Sequence, residues 1–128
     1  MSKLILIDDF APKDEYELDE IVQNDRGLTI KFNGVIHRII VNYEHKWIWF
    51  SSSDEADRWR TLSDYFSKEP HKDTELFYVD RESDLKRWIV NEKYGVWNYD
   101  ELEHHVFVTI NDVIEVVSRS RPCVQIIR

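Results

Sequence analysis

The sequence predicts an α+β fold in which an antiparallel β-sheet of about five to seven strands carries two helices on one face. Three observations support this prediction. Short segments rich in β-branched and aromatic residues recur along the chain, and the dipeptide Asn33-Gly34 separates two of them. Residues 52–66 and 82–92 show the spacing of amphipathic helices. The length of 128 residues and the hydrophobic content of 42% predict a single globular domain, residues 1–128.

The hairpin around Asn33-Gly34 is the most specific local signal. A two-residue type I′ turn needs positive φ at both central residues, which Asn and Gly tolerate best. Because a two-residue loop fixes the register, one face of the hairpin is predicted to be core. Three facing pairs share that face: Phe32 with Val35, Ile30 with His37, and Leu28 with Ile39.

The chain before this hairpin contains one clear strand and one ambiguous segment. Residues 3–7 form a continuous apolar run that is typical of a buried or half-buried strand. Residues 8–25 fit neither the helical nor the strand period. Within them, residues 16–23 are interpreted as a short helix or an edge strand.

The central part of the chain predicts a strand and a helix. Residues 46–50 alternate Trp with Ile and Phe, which predicts a strand with large apolar side chains on both faces. Ser52 and Glu55 have the spacing of a capping box, so a helix is predicted to begin there and to end at Glu69-Pro70. Its predicted apolar stripe consists of Ala56, Trp59, Leu62, Tyr65 and Phe66.

The second half of the chain predicts one helix among strands. Residues 75–80 indicate a strand, and a helix at about 82–92 is expected to be capped by Asp80 or Ser83. Leu85, Trp88 and Ile89 are predicted to face inward. Three further strands are predicted at 102–110, 113–117 and 123–127, the first two joined by a turn at Asn111-Asp112.

Negative charge is concentrated near the start of the chain. Eight acids and one base lie between Asp8 and Asp25, which gives that segment a net charge of −7 out of −8 for the chain. This bias disfavours nucleic-acid binding, because phosphate contacts require Lys and Arg. The segment is interpreted either as a solvated face or as a docking surface for a basic protein.

The histidines permit an enzymatic alternative. His37 and His105 could supply general acid–base catalysis in a metal-independent ribonuclease, with Lys31 or Arg38 holding the phosphate. The predicted register disfavours this, since it sets His37 on the core face and the two cations on the other. His104 and His105 are adjacent in a strand, so they point to opposite faces and cannot share one ion. No metal ligands, cofactor or catalytic residues are therefore expected.

Two further observations concern compartment and aromatic content. The single cysteine, Cys123, and the lack of an apolar run long enough for a signal peptide or membrane span predict a cytoplasmic protein. Aromatic residues make up 13% of the chain, and helical spacing does not explain all of them. Rings beside carboxylates are typical of protein interfaces. The predicted partner interface consists of Asp14, Glu15, Glu17, Asp19, Glu20, Trp97 and Tyr99.

The segments HHVFVTINDVIEVVSRSRP (104–122) and GLTIKFNGVIHRIIV (27–41) resemble small acidic bacterial immunity proteins of polymorphic-toxin and contact-dependent growth inhibition systems. The resemblance rests on the pattern of β-strands and includes no catalytic signature. It implies a cytoplasmic, non-enzymatic inhibitor that binds one cognate toxin domain tightly. Together with the acidity of the chain, this leads us to expect a basic nuclease toxin whose active site is occluded. No nucleic-acid or membrane partner is expected, and the oligomeric state stays open. A third hypothesis is an interaction module unrelated to toxins.

Overall fold

The computed structural model describes residues 4–44, 47–54, 66, 74–92 and 98–127. These residues contain nine strands, one α-helix and one short 3₁₀ helix. The strands before the helix are β1 (Leu4–Leu6), β2 (Glu17–Asn24), β3 (Gly27–Asn33), β4 (Arg38–Asn42), β5 (Trp47–Asp54) and β6 (Phe77–Asp80). The rest are the helix α1 (Asp84–Glu92), the 3₁₀ helix (Tyr99–Glu101), β7 (Glu103–Val108), β8 (Asp112–Ser118) and β9 (Cys123–Ile127).

The strands form two antiparallel sheets. The five-stranded sheet has the order β1-β6-β7-β8-β5, and the four-stranded sheet has the order β2-β3-β4-β9. Consecutive strands pair as hairpins in β2–β3, β3–β4 and β7–β8. The last strand, β9, returns to pair with β4, so the end of the chain completes a sheet that begins near its start.

The main core lies between the two sheets. Leu28, Ile30 and Phe32 of β3 are fully buried in one cluster with Phe107 of β7 and Ile114 of β8. The Phe32 and Phe107 rings are 5.4 Å apart between centroids. Each such side chain stabilises the fold by about 1.5–3 kcal/mol relative to its exposed state. The molecule is therefore a β-sandwich.

The five-stranded sheet is covered on its outer face as well. Leu85 and Ile89 of α1 pack against Leu102 and Val117. Next to this contact, Tyr78 of β6 is buried in a separate cluster, with Leu4, Leu6 and Phe66 packed against it. All four residues of β6 are buried, on both faces of the strand. The four-stranded sheet differs, because its outer face carries polar residues: Glu20 pairs in register with Lys31, and Ile40 lies between Lys31 and Gln125 in the same row. No helix in the described part of the chain is long and apolar enough to cross a membrane.

The predicted α+β fold, with one sheet and two helices on one face, is wrong. The molecule has two sheets, and α1 is the one α-helix among the described residues. Ser52 and Ser53 do not begin a helix, because they continue β5 and pair with Ile114 and Val113 of β8. The capping-box spacing was overridden by this long-range pairing. Asp54 also belongs to β5, opposite Asp112; beyond it, the predicted helix lies outside the described residues apart from Phe66.

Most of the other predicted elements are confirmed. Strands occur at all five predicted positions outside the central region, and the ambiguous segment 16–23 contains β2, an edge strand. Ser83 caps the start of α1, as predicted, since its Oγ accepts a hydrogen bond from the Lys86 backbone N–H at 3.0 Å. Trp88, predicted to face inward, is instead 51% exposed. The buried side of this short helix contains Lys86 and Ile89, and Trp88 lies outside that side.

The predicted type I′ turn is also wrong. Asn33 pairs with Arg38 and Phe32 with Ile39, so residues 34–37 form a four-residue loop, named here the tip loop. The Gly34 N–H donates to the His37 carbonyl at 2.7 Å. Gly27 and Glu44 have positive φ in the described chain, and Asn33 and Gly34 do not. Val35 therefore lies in the loop and not opposite Phe32.

Gly34 is nevertheless required by close packing. A Cβ at this position would lie 2.6 Å from Asp14 Cγ and 2.9 Å from the His37 carbonyl oxygen. We expect Gly34→Ala to lower the free energy of unfolding by about 1–3 kcal/mol in chemical denaturation, because the crowded groups must move. In an Asp14→Ala background the same substitution should cost less, since the main obstacle is gone. Equal costs in both backgrounds would contradict this explanation.

Candidate functional site

One carboxylate, that of Asp14, organises the tip loop. Its Oδ1 accepts backbone N–H bonds from Glu15 at 2.8 Å and Val35 at 3.0 Å. Its Oδ2 accepts N–H bonds from Ile36 and His37, both at 2.9 Å, and lies 3.2 Å from His37 Nδ1. Burial raises the pKa of Asp14, but the four backbone donors together outweigh burial and lower the pKa to about 2. Asp14 is therefore ionised at neutral pH and fixes the loop backbone from a distant part of the chain.

The tip loop directs two aliphatic side chains into solvent. Val35 is 77% exposed and Ile36 is 70% exposed, the largest values among the large hydrophobic residues of the described chain. Scattered exposed aliphatic residues are ordinary on protein surfaces. Here, however, the two are adjacent and their backbone N–H groups are both held by Asp14. The loop thus presents an apolar pair on a fixed backbone.

Exposed acids flank the tip loop. Glu15 directly follows Asp14, and Glu17 pairs in register with Asn33 at the base of the loop. Both are exposed, and neither forms an ion pair with the described part of the chain. Lys13, the nearest base in sequence, lines a separate cavity with Glu75. The apolar pair is therefore bordered by negative charge.

Two other acids of β2 are partly compensated. Asp19 lies 3.8 Å from Arg38 Nη2, and Glu20 lies 3.6 Å from Lys31 Nζ. Asp19 occupies the irregular position between Leu18 and Glu20, where the register of β2 shifts. Exposed pairs of this kind contribute about 0–1 kcal/mol to stability. They also reduce the negative potential that these two acids project.

The structure separates the predicted interface residues into several groups. Glu15, Glu17, Asp19 and Glu20 are exposed, as an interface requires. Asp14 is not the exposed contact residue that was predicted. It is only 6% exposed, because its carboxylate is enclosed by backbone donors. Trp97 lies outside the described residues.

Tyr99 has contacts inside the molecule. Its hydroxyl accepts the Ser83 N–H at 3.0 Å, and Lys86 Nζ lies 3.8 Å from its ring centroid. The half-buried ring thus supports the start of α1, which leaves it less suited to be a free anchor than predicted.

Val35 and Ile36 were missed as site residues because the assumed register placed the first in the core and gave the second no special role. No local signal distinguishes them. Their exposure follows from the four-residue loop, and that loop is held by contacts between residues 21 to 23 positions apart in sequence.

A second polar network joins the two sheets. Tyr43 Oη lies 2.7 Å from His105 Nδ1, and His105 Nε2 lies 2.9 Å from Glu103 Oε1. Arg121 Nε donates to the same Glu103 oxygen at 3.1 Å. Burial raises the pKa of Tyr43 and lowers that of His105, so we assign a neutral imidazole that accepts from Tyr43 and donates to Glu103. The hydrogen bond from His105, followed by that from Arg121, lowers the pKa of Glu103 to about 2 against the opposing effect of burial.

This arrangement disfavours the ribonuclease hypothesis. His105 is fully buried, and both of its ring nitrogens are engaged within the protein. His37 directs Nδ1 at Asp14. Neither of two cavities in the described chain, of about 110 and 200 Å³, is lined by a histidine. The two histidines therefore do not form an accessible acid–base pair.

His104 points to the other face of β7, as predicted. Its Nδ1 lies 2.8 Å from Ser83 Oγ at the start of α1 and 3.6 Å from Asp80 Oδ2. Its Nε2 lies 3.2 Å from Glu115 Oε1. Within the described residues, no group of three or more His, Cys, Asp and Glu side chains is arranged to hold a metal ion.

No protein-family model, curated protein or solved structure matches the chain. The resemblance to immunity proteins therefore remains an expectation from the sequence pattern.

Proposed function

We propose that this protein is a cytoplasmic immunity protein that binds a basic toxin domain, most simply a nuclease, and occludes its active site. The observation that carries the proposal is the contrast between two sets of ionisable groups. Those that could perform acid–base chemistry, His105 above all, are buried and engaged. Acids that could meet a partner, Glu15 and Glu17, are exposed at one end of the sandwich.

The proposed mechanism of inhibition is occlusion. A nuclease active site binds phosphates through Lys, Arg or metal ions, and carboxylates on a bound inhibitor can take the positions of those phosphates. The net charge of −8 adds a long-range attraction to a basic partner. The inhibitor needs no catalytic group of its own. This agrees with the engagement of both His105 ring nitrogens by groups inside the protein.

The direct test uses the gene next to the one encoding this protein. We expect that gene to encode a large secreted protein, whose C-terminal domain serves as the probe. Co-expression of this chain should restore growth to cells that produce the domain, and the purified proteins should form a stoichiometric complex. Binding without protection would instead support an interaction module, and cleavage of RNA by the purified chain alone would overturn the proposal.

The exposed acids should control the rate of association. We expect Glu15→Gln/Glu17→Gln to slow association with the toxin domain several-fold at low salt, because electrostatic steering acts on the encounter. The difference should shrink above physiological ionic strength, where the Debye length is about 8 Å or less. Stopped-flow measurements at two salt concentrations provide the test.

Two variants serve as controls for this measurement. Asp8→Asn/Asp9→Asn changes the net charge equally at exposed positions outside β2, and it should slow association less. Asp19→Asn/Glu20→Gln should also have a smaller effect, because Arg38 and Lys31 already compensate these acids. Equal slowing by all three variants would show that total charge, and not the position of Glu15 and Glu17, controls association.

A further inference from the structure

We infer that the tip loop is the anchor of the partner interface, and that Val35 and Ile36 insert into an apolar pocket bordered by Lys or Arg on the partner protein. The inference rests on the proposed function, which supplies a basic protein as the partner. It adds the place of contact and the chemistry of the pocket that receives it.

The first argument is preorganisation. Binding normally requires ordering of loops and side chains, and a loop that is already fixed avoids most of that entropic penalty. The Asp14 carboxylate holds the N–H groups of Val35, Ile36 and His37, and the Gly34 N–H closes the loop on the His37 carbonyl. Both apolar side chains are β-branched, so their rotamers are restricted as well. The exposed pair is thus held ready for contact.

A second reason is the burial of the Asp14 carboxylate. A buried charge is unfavourable unless it is paired or hydrogen-bonded, and three of the four backbone N–H groups that donate to Asp14 belong to one short loop. A two-residue turn at Asn33-Gly34 would need no Asp14, but it would set Phe32 opposite Val35 and not opposite Ile39, its partner in the structure. What the longer loop adds is the outward projection of Val35 and Ile36.

The third argument is charge. Glu15 and Glu17 border the tip loop, and the nearest cation, Arg38, is engaged by Asn33 at 3.1 Å and by Asp19 at 3.8 Å. A pocket that fits this end of the sandwich therefore has an apolar floor and a basic rim. The same acids repel anionic surfaces, so a protein is favoured over an anionic membrane.

Trp88 offers a different anchor and provides the control. It is 51% exposed on α1, which covers the outer face of the five-stranded sheet, away from the tip loop. Tryptophan is enriched among interface hot spots. The experiment therefore compares a variant of Trp88 with a variant of the tip loop.

The experiment has a first measurement on the protein alone. Amide hydrogen exchange should be slow for Val35, Ile36 and His37, although the first two side chains are exposed, because their N–H groups are bonded to Asp14. The amide of Asp25, in the exposed turn between β2 and β3, supplies an internal reference. Exchange of the three tip-loop amides as fast as this reference would overturn preorganisation and with it the inference.

The second measurement uses the toxin domain encoded by the neighbouring gene. Val35→Thr/Ile36→Thr should raise the dissociation rate about tenfold or more, with little change in association or salt dependence, because a lost anchor acts on dissociation. Trp88→Ser should leave the dissociation rate unchanged. Thermal unfolding should show that both variants remain folded.

The outcomes separate the two proposals. If the wild type binds and the tip-loop variant dissociates at the same rate, the anchor lies elsewhere and the inhibitor proposal survives. Faster dissociation of Trp88→Ser alone would place the anchor on α1. If the wild type does not bind the domain at all, the proposed function fails, and the anchor inference fails with it. Sedimentation of the wild type, but not the tip-loop variant, with phosphatidylcholine vesicles would make the tip a membrane contact and overturn the protein pocket.

Discussion

Replacing Asp14 with Ala is expected to lower the free energy of unfolding by about 3–5 kcal/mol, one of the two largest effects in the molecule. The substitution removes the acceptor of four backbone N–H groups, three of them in the tip loop. Those donors are then left without partners in a crowded position next to Gly34. Urea denaturation followed by Trp fluorescence measures the loss.

Two variants define the origin of this effect. Asp14→Asn keeps the shape and one carbonyl oxygen, so it should destabilise the protein less than Asp14→Ala. Glu15→Ala, next to it but exposed, should change stability by about 0.5 kcal/mol or less. A loss below about 1 kcal/mol for Asp14→Ala would mean that water or a rearranged loop replaces the carboxylate.

The pH dependence of stability supplies an independent check on Asp14. Its pKa is lowered from an ordinary value of 3.8 to about 2 in the folded protein. Folding therefore favours the ionised form, and this contribution is complete above about pH 4 and is lost as the pH falls towards 2. The Asp14→Ala variant should show a correspondingly weaker pH dependence in that range. An unchanged slope would contradict the assigned hydrogen bonds.

Replacing His105 with Ala should destabilise the protein by a similar amount, about 3–5 kcal/mol. The imidazole is fully buried, packs 5.1 Å from the Phe77 ring, and accepts the Tyr43 hydroxyl at 2.7 Å. Its removal leaves a cavity, an unpaired hydroxyl and a weakened contact between the sheets. Chemical denaturation of His105→Ala tests this expectation.

Tyr43→Phe is the matched control for that network. It removes one hydroxyl without a cavity and leaves His105 Nδ1 unpaired, so its expected cost is smaller, about 1–3 kcal/mol. The double variant should lose less than the sum of the single losses, because both substitutions break the same hydrogen bond. Strict additivity would mean that the hydrogen bond contributes little.

The sign of the pH effect at His105 follows from its lowered pKa. Burial lowers the pKa of His105 from 6.5, so the unfolded chain binds a proton at a higher pH than the folded protein does. Stability from the neutral imidazole is therefore complete above about pH 6.5 and is lost as the pH falls below it. His105→Ala should remove this part of the pH profile. Below about pH 4.5 stability should fall further, because Glu103 then takes up a proton in the unfolded chain but not in the fold, where its pKa is lowered to about 2.

Local sequence patterns were sufficient for several elements. The strands β6 to β9 and the helix α1 could be predicted because side-chain periodicity, the Ser83 cap and the turn near Asn111 depend on residues close in sequence. Trp88 shows the limit of such patterns. The spacing of Trp88 from Leu85 and Ile89 predicted that it faces the core. A nine-residue helix packed on a sheet buries only a narrow side, however, and the position of the sheet decides which residues lie on that side.

Long-range contacts decided the features that local patterns missed. Asn33-Gly34 favours a type I′ turn in isolation, yet the Asp14 carboxylate, about twenty residues earlier, stabilises a four-residue loop instead. Ser52 had a capping-box pattern, yet pairing with Ile114 extends β5. In both cases a tertiary hydrogen-bond pattern outweighed a local preference of about 1 kcal/mol.

The sequence by itself therefore determined where most strands lie, that α1 exists, and that acids are concentrated near the start of the chain. Tertiary structure decided how the strands divide into two sheets, because β-pairing joins residues far apart, as between β4 and β9. It also decided which acids remain exposed. Glu15 and Asp14 are neighbours with the same charge, but only Asp14 accepts hydrogen bonds from the backbone of the tip loop. These bonds enclose the Asp14 carboxylate, whereas the side chains of Val35 and Ile36 are exposed to solvent.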